Sequence, residues 1–123
     1  MKKIFAICFL LSTCCYASLW NEFYYKNYID LTTVQRNGRI VSVWAKELNP
    51  GNWHLINNKK IWYAIVKYNA DCDNRKLKIM SLTSYDTKGN LLENFDNSTY
   101  GNWDDVIPDT VGEIKYNYFC SLK

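Results

Sequence analysis

The sequence predicts an α+β domain, an antiparallel β-sheet packed against one C-terminal α-helix and closed by one disulfide. Three observations carry this expectation. Runs rich in Tyr, Ile, Val and Trp recur between residues 23 and 95, separated by Asn-Gly, Pro-Gly and Lys-Gly-Asn turn signals. After Pro108 the apolar period changes to that of a helix. The cysteines reduce to a single pair once the N-terminus is set aside. The 123 residues suit one domain, and 48% hydrophobic against 22% charged residues excludes a disordered chain. A net charge of +3 is too small for a dedicated nucleic-acid binder.

Lys2 and Lys3 precede an unbroken apolar run over residues 4–11, and Cys15-Tyr16-Ala17 ends in a small residue. This is the pattern of a secretory signal peptide spanning residues 1–17, with residues 18–123 as the mature domain. The run is far shorter than the roughly 20 apolar residues that span a bilayer. A rival pattern, Leu11-Ser12-Thr13-Cys14, would lipidate Cys14, although Thr13 stands where Gly, Ala or Ser is usual. Membrane contact is expected only through that lipid. Cutting after Ala17 removes Lys2 and Lys3, so the charge falls from +3 to +1. Cys8, Cys14 and Cys15 leave as well, and Cys72 and Cys120 remain of the five. In an oxidising compartment such a pair most simply forms a disulfide, worth about 2–4 kcal/mol, the alternative being two buried free thiols.

Each element has a local cause. Residues 23–30 are Tyr- and Phe-rich and predict a first strand; residues 39–48, with Ile40, Val41, Val43 and Trp44, predict a second. The two are expected to pair as a hairpin across a long link that ends in the Asn37-Gly38 turn. Asn49-Pro50-Gly51-Asn52 is a loop, and residues 53–58 read as irregular. Residues 61–70 form the most regular strand. Trp62, Ala64, Val66 and Tyr68 share one face, with Ile61, Tyr63, Ile65 and Lys67 on the other. Asp73-Asn74 turns the chain into a strand over 75–85, with Leu77, Ile79 and Tyr85 on one face. Lys88-Gly89-Asn90 precedes a short strand over 91–95. Val111, Ile114, Tyr118 and Phe119 then fall on one helical stripe, and Thr110-x-x-Glu113 is a capping box. Pro108 sits just ahead of that helix. Packing the stripe on the sheet brings Cys120 to Cys72.

Residues able to carry chemistry are few. His54 is the sole histidine, which excludes a multi-histidine zinc site, and no nucleophile accompanies it in its loop. Asp71 with Asp73, and Asp104 with Asp105, are the acidic clusters. Neither has the glycine and spaced oxygen ligands of a calcium loop, and both read as turn and surface residues. There is no glycine-rich phosphate loop. Asn97-Ser98-Thr99 matches the glycosylation pattern within an Asn-rich loop. The sequence thus predicts no catalytic residue, no metal and no cofactor. Lys59 and Lys60, with Lys67 on the outer face of the same strand, are candidates for a basic patch that attracts acidic segments of a partner or a sulfated glycan. The competing role is a charged strand end that keeps the sheet unpaired. Tyr24, Tyr25 and Tyr28, with Trp53 in its loop, are candidates for an aromatic binding surface, most other aromatics being needed in the core.

An ordered set of residues runs from Tyr28-Ile29-Asp30 and Val43-Trp44 to Tyr68-x-x-Asp71-Cys72 and Arg75. It continues through Tyr85-Asp86-x-x-Gly89, Trp103-x-x-Val106-Ile107-Pro108 and Glu113 to Cys120. In this the chain resembles the bacterial surface-adhesin protein E family over nearly all of residues 20–120. The resemblance implies an exported protein of the cell surface, outer membrane or periplasm, with some relatives binding host extracellular-matrix and serum proteins. It also implies basic residues entering the strand at Lys59 and Lys60. The expected function is therefore non-enzymatic binding of a protein partner. The alternative is a periplasmic inhibitor or immunity-type protein that plugs an enzyme with loop 49–58 or loop 96–105.

Overall fold

A computed structural model describes residues 19–48, 55–56, 59–96 and 102–123. The expected signal peptide at 1–17, Cys14, Trp53, His54 and the Asn97-Ser98-Thr99 site lie outside the described residues. In chain order the elements are β1 (Trp20–Tyr24), β2 (Asn27–Asp30), a 3-10 turn (Leu31–Thr33), β3 (Gln35–Asn37), β4 (Ile40–Leu48) and β5 (Leu55–Ile56). They continue with β6 (Lys59–Asp71), β7 (Lys76–Asp86), β8 (Leu91–Asp96), β9 (Asp104–Asp105) and helix α1 (Val111–Ser121). The sheet is antiparallel along the path β1-β2-β4-β6-β7-β8, with β3 paired to β4, β5 to β6 and β9 to β7. The α+β expectation holds.

The N-terminal strand is broken in two. Lys26 adopts a left-handed φ of 60°, so the chain turns at Tyr25-Lys26 and β1 folds back on β2. The pairing expected of this region with residues 39–48 is nonetheless present, as Ile29 opposes Ala45. The link is structured rather than long. The Asp30 carboxylate accepts from the Thr32 N–H at 3.0 Å and caps the 3-10 turn, and β3 then forms a tight hairpin with β4. Asn37 opposes Ile40, so Gly38 and Arg39 are the two central residues, with glycine supplying the required φ of 61°. A further short strand, β5, appears where the sequence suggested irregular chain.

The core lies between one sheet face and α1. Ile29, Val41, Val43, Ala45, Ala64, Val66, Tyr68 and Ala70 line the sheet side, and Tyr116 and Phe119 the helix side. Phe119 is fully buried, with the Phe23 and Tyr68 rings at 5.7 and 5.5 Å. Burying such side chains contributes about 1.5–3 kcal/mol each.

Three face assignments differ from the sequence reading, and strand bulges explain the first two. Ile61 opposes Asp86 and Tyr63 opposes Tyr85, which leaves Trp62 as an extra residue on β6. This bulge puts Ile61 inside and Trp62 out, 49% exposed. A second shift, in which Lys67 opposes Ser81 and Tyr68 opposes Ile79, leaves Met80 unopposed. Leu77 and Ile79 therefore reach the core while Tyr85 turns outward and stacks on Tyr63 at 4.9 Å. The helix is also rotated. Val111 and Ile114 are 43% and 38% exposed, and the buried residues are Tyr116 and Phe119.

Long-range ties set that rotation. Cys72 and Cys120 form the disulfide, with their Cα atoms 5.7 Å apart. The Tyr116 hydroxyl donates to the Cys72 carbonyl at 2.9 Å. Arg36 of β3 donates to the Cys120 and Leu122 carbonyls at 2.9 and 3.1 Å, satisfying the helix C-terminus. At the other end Thr110 Oγ1 accepts from Glu113 N–H at 3.3 Å, but the Glu113 carboxylate accepts from Asp109 N–H rather than from Thr110. Among the described residues no helix is long and apolar enough to cross a membrane.

Candidate binding surface

Bringing β-strands together in this order gathers lysines at one pole of the sheet. Lys59 and Lys60 open β6, Lys26 sits in the β1–β2 turn and Lys88 in the β7–β8 turn. The bulge projects Trp62 among them. Two adjoining shallow recesses result, sharing Lys60 and Thr87. One, of about 230 Å³, is bounded by Lys59, Asp86, Lys88 and Asn90. The other, of about 270 Å³, is bounded by Lys26, Leu48, Ile61 and Trp62. Tyr25, next to Lys26 in the β1–β2 turn, is 74% exposed, with the Lys26 ammonium 5.3 Å from its ring.

The carboxylate in this group is committed to the backbone. Asp86 accepts from the Asn90 and Lys88 N–H groups, each at 2.9 Å, and from Asn90 Nδ2 at 3.5 Å. The Asn90 backbone bond chiefly, with those of Lys88 and the Asn90 amide and the charge of Lys59, holds its carboxyl below the usual carboxylate range against the opposing effect of burial. It stays ionised and fixes the turn, while the lysine ammonium groups remain at the surface.

The residues singled out from sequence do not all meet. Lys59 and Lys60 are exposed neighbours of the recesses, whereas Lys67 lies seven residues along β6, roughly 23 Å away in an extended strand. It sits instead over the Trp44 ring, 5.7 Å from its centroid, on the sheet face opposite the helix. Tyr24 is 39% exposed beside Tyr25. Tyr28 is half-buried, and its hydroxyl is pushed up by burial and then by Glu22. Trp62, which the regular alternation assigned to the core, supplies the exposed indole.

The acidic residues are structural or superficial. Asp71 is 6% exposed and accepts from Asn74 Nδ2, the Asn74 and Asp73 N–H groups and Arg39 Nε. The Asn74 amide, the largest of these influences, lowers its pKa. Asp104 and Asp105 form exposed β9, and Asp105 lies 3.7 Å from Lys76. Among the described residues no group of three His, Cys, Asp or Glu side chains could hold a metal.

A polar cluster that the sequence reading missed lies beneath α1. Glu47 accepts from the Tyr68 hydroxyl at 2.6 Å and from Lys115 Nζ, and Lys115 also donates to the Tyr68 oxygen at 3.0 Å. The available signal was Glu47 itself, which shares the two-residue period of Val41, Val43 and Ala45 and so faces the core.

These features define a class: a small disulfide-closed α+β scaffold that presents basic and aromatic side chains on a rigid sheet. A family comparison makes it specific, because the family described as surface-adhesin protein E matches residues 18–121. The chain belongs to that family of surface adhesins. The fold is also that of two solved structures. A crystal structure of protein E from non-typeable Haemophilus influenzae aligns over 83% of this chain and 75% of its own, with TM-score 0.55 and 14% identity. A second structure of Haemophilus influenzae protein E aligns over 86% and 85%, with TM-score 0.54 and 15% identity. No curated protein matches the chain by sequence.

Proposed function

We propose that residues 1–17 are a signal peptide, and that the mature domain is a non-enzymatic adhesin of the cell surface. It binds a host extracellular-matrix or serum protein through the Lys59–Lys60 pole. The observation that carries this reading is Trp62, an exposed indole that a bulge sets in the wall of one of two adjoining recesses, which together are bounded by Lys26, Lys59, Lys60 and Lys88. Aromatic anchors within a charged rim are the usual content of a protein-binding hot spot. The lysines steer acidic segments of the partner, and Trp62 supplies desolvated contact area. Lys67 lies outside this patch, and Trp53 lies outside the described residues.

The test pairs location with binding. Intact cells should expose the domain to antibody and to added protease. The purified chain should capture members of a panel of host matrix and serum proteins. Trp62→Ala should weaken capture about tenfold or more. Lys59→Ala with Lys60→Ala should slow association and flatten its salt dependence. Strict periplasmic confinement, with capture of a periplasmic hydrolase, would instead establish the inhibitor reading.

A further inference from the structure

The sheet face opposite α1 carries lysines in a regular array. Lys46 of β4 opposes Ile65, Lys67 lies two residues further along on β6, and Lys78 of β7 opposes Asn69. Each step moves one strand across and two residues along. Lys26 begins the same diagonal, since its carbonyl accepts from the Leu48 N–H and Leu48 opposes Tyr63. Diagonal neighbours on a sheet are about 7–8 Å apart, so the three steps between the four lysines span about 21–24 Å. Every ammonium in the row is seated near an aromatic ring. Lys26 lies 5.3 Å from Tyr25, Lys46 4.7 Å from Tyr63, Lys67 5.7 Å from Trp44 and Lys78 5.7 Å from Trp103. Rings that hold the ammonium groups in place reduce the ordering cost of binding an anion. Of the face's acidic residues, Glu22, Asp96 and Asp105 lie on the edge strands β1, β8 and β9, off the diagonal, and Asp105 is paired with Lys76 at 3.7 Å.

We infer that this face binds a sulfated polysaccharide laid along the lysine diagonal. Evenly spaced cations on a flat surface complement a linear polyanion. The groups between them favour a sugar chain. Ser42 donates to Asn69 Oδ1 at 2.7 Å and Thr83 to Asn94 Oδ1 at 3.2 Å, which leaves both amide NH2 groups as donors for sugar hydroxyls. Midway along the diagonal a recess of about 310 Å³ is bounded by Thr32, Thr33, Gln35, Ser42, Trp44 and Lys67. It offers an indole wall, neutral polar groups and one cation, the set that a sulfated pyranose requires. All four cations are lysines, point charges without the forked geometry that favours phosphate. Single-stranded nucleic acid relies on aromatic platforms for its bases, whereas these rings each carry an ammonium. The surface-adhesin setting supplies the place where such a glycan is met; the two surfaces share only Lys26, which the test variants leave in place, so binding at either can fail alone.

Calorimetric titration of the mature chain with a heparin oligosaccharide long enough to cross the sheet tests this. Binding should weaken with added salt and disappear with chemically desulfated heparin of equal length. The combined change Lys46→Gln, Lys67→Gln and Lys78→Gln should cut affinity roughly tenfold or more and reduce the salt dependence. Trp44→Ala should weaken binding without altering that dependence, and Lys59→Gln with Lys60→Gln should leave it unchanged. Thermal melts identify variants that remain folded, and each of these lysines is also changed singly so that one folded series survives. No binding of heparin would overturn the inference. So would affinity within about twofold of the parent in the triple variant, or equally tight binding of DNA.

Discussion

Lys115 is the side chain on which the docking of the helix turns. Its side chain is 16% exposed and that of its partner Glu47 12%, so both charged groups are largely withdrawn from water and depend on each other and on Tyr68. Burial, followed by the adjacent Glu47 charge, pushes the Tyr68 hydroxyl well above its ordinary value, so it stays protonated and donates. Removing one member strands the others. Lys115→Met is expected to lower stability by about 2–4 kcal/mol, because the Glu47 carboxylate is left buried without a cation. Adding Glu47→Gln should restore more than half of that loss, since glutamine still accepts from Tyr68 and carries no charge. Urea unfolding of the single and double variants measures this, and simple additivity of the two losses would show that the groups do not act together. Residue by residue, the turns at Asp73-Asn74 and Lys88-Gly89-Asn90 were legible, while the burial of the aspartates that anchor them was not. Asp71 and Asp86 are each buried, and each satisfies the N–H groups of the turn that follows it. The local chemistry of Asx turns announces itself in a few consecutive residues. The Glu47–Tyr68–Lys115 contact joins residues far apart in sequence and leaves no local pattern.

Elements were legible where their period was unbroken. The core face of β4 and the alternation Ala64, Val66, Tyr68 and Ala70 follow directly from the sequence. Trp62 and Met80 each insert one unpaired residue, and a single insertion exchanges the two faces beyond it. Nothing in the residue types at 62 or 80 marks them as bulges, so the exposed indole of the candidate site was assigned to the core. Helix α1 illustrates the same limit. Its bounds and N-cap follow from Thr110 and Glu113, but its rotation is set by the Cys72–Cys120 disulfide, the Tyr116 hydroxyl and Arg36. The disulfide closes a loop of 48 residues. Replacing both cysteines by alanine should cost about 2–4 kcal/mol in denaturant unfolding. The variant should keep its helical circular dichroism, because Phe119 remains in the core and Arg36 still satisfies the last carbonyls. Loss of the helical signal together with the disulfide would show that packing alone does not hold α1.

At the scale of the whole molecule, the sheet divides the residues into a sealed side beneath α1 and an opposite face of lysines and aromatic rings. That division requires sharp turns at both ends of the long central strands, and buried carboxylates make them. The same carboxylates set the response of the fold to acid. Asp71 and Asp86 both have pKa values lowered in the folded chain, the first mainly by the Asn74 amide and the second mainly by the Asn90 backbone. The unfolded chain, with ordinary aspartates near about 3.9, therefore binds more protons than the folded one as pH falls through that value. Their contribution is fully present above the ordinary carboxylate range, begins to fade near about pH 4 and is lost once pH drops through the lowered folded values. Neutralising either carboxylate removes a turn-fixing acceptor charge and, with it, part of this dependence. Asp86→Asn should melt at a lower temperature than the parent at neutral pH, and the two curves should converge as pH falls from about 5 toward 2. Asp71→Asn should behave alike, and the double variant should have the shallowest acid limb. Parallel melting curves across that interval would mean that neither carboxylate is responsible for acid unfolding, and the turns would then owe their stability to backbone geometry alone.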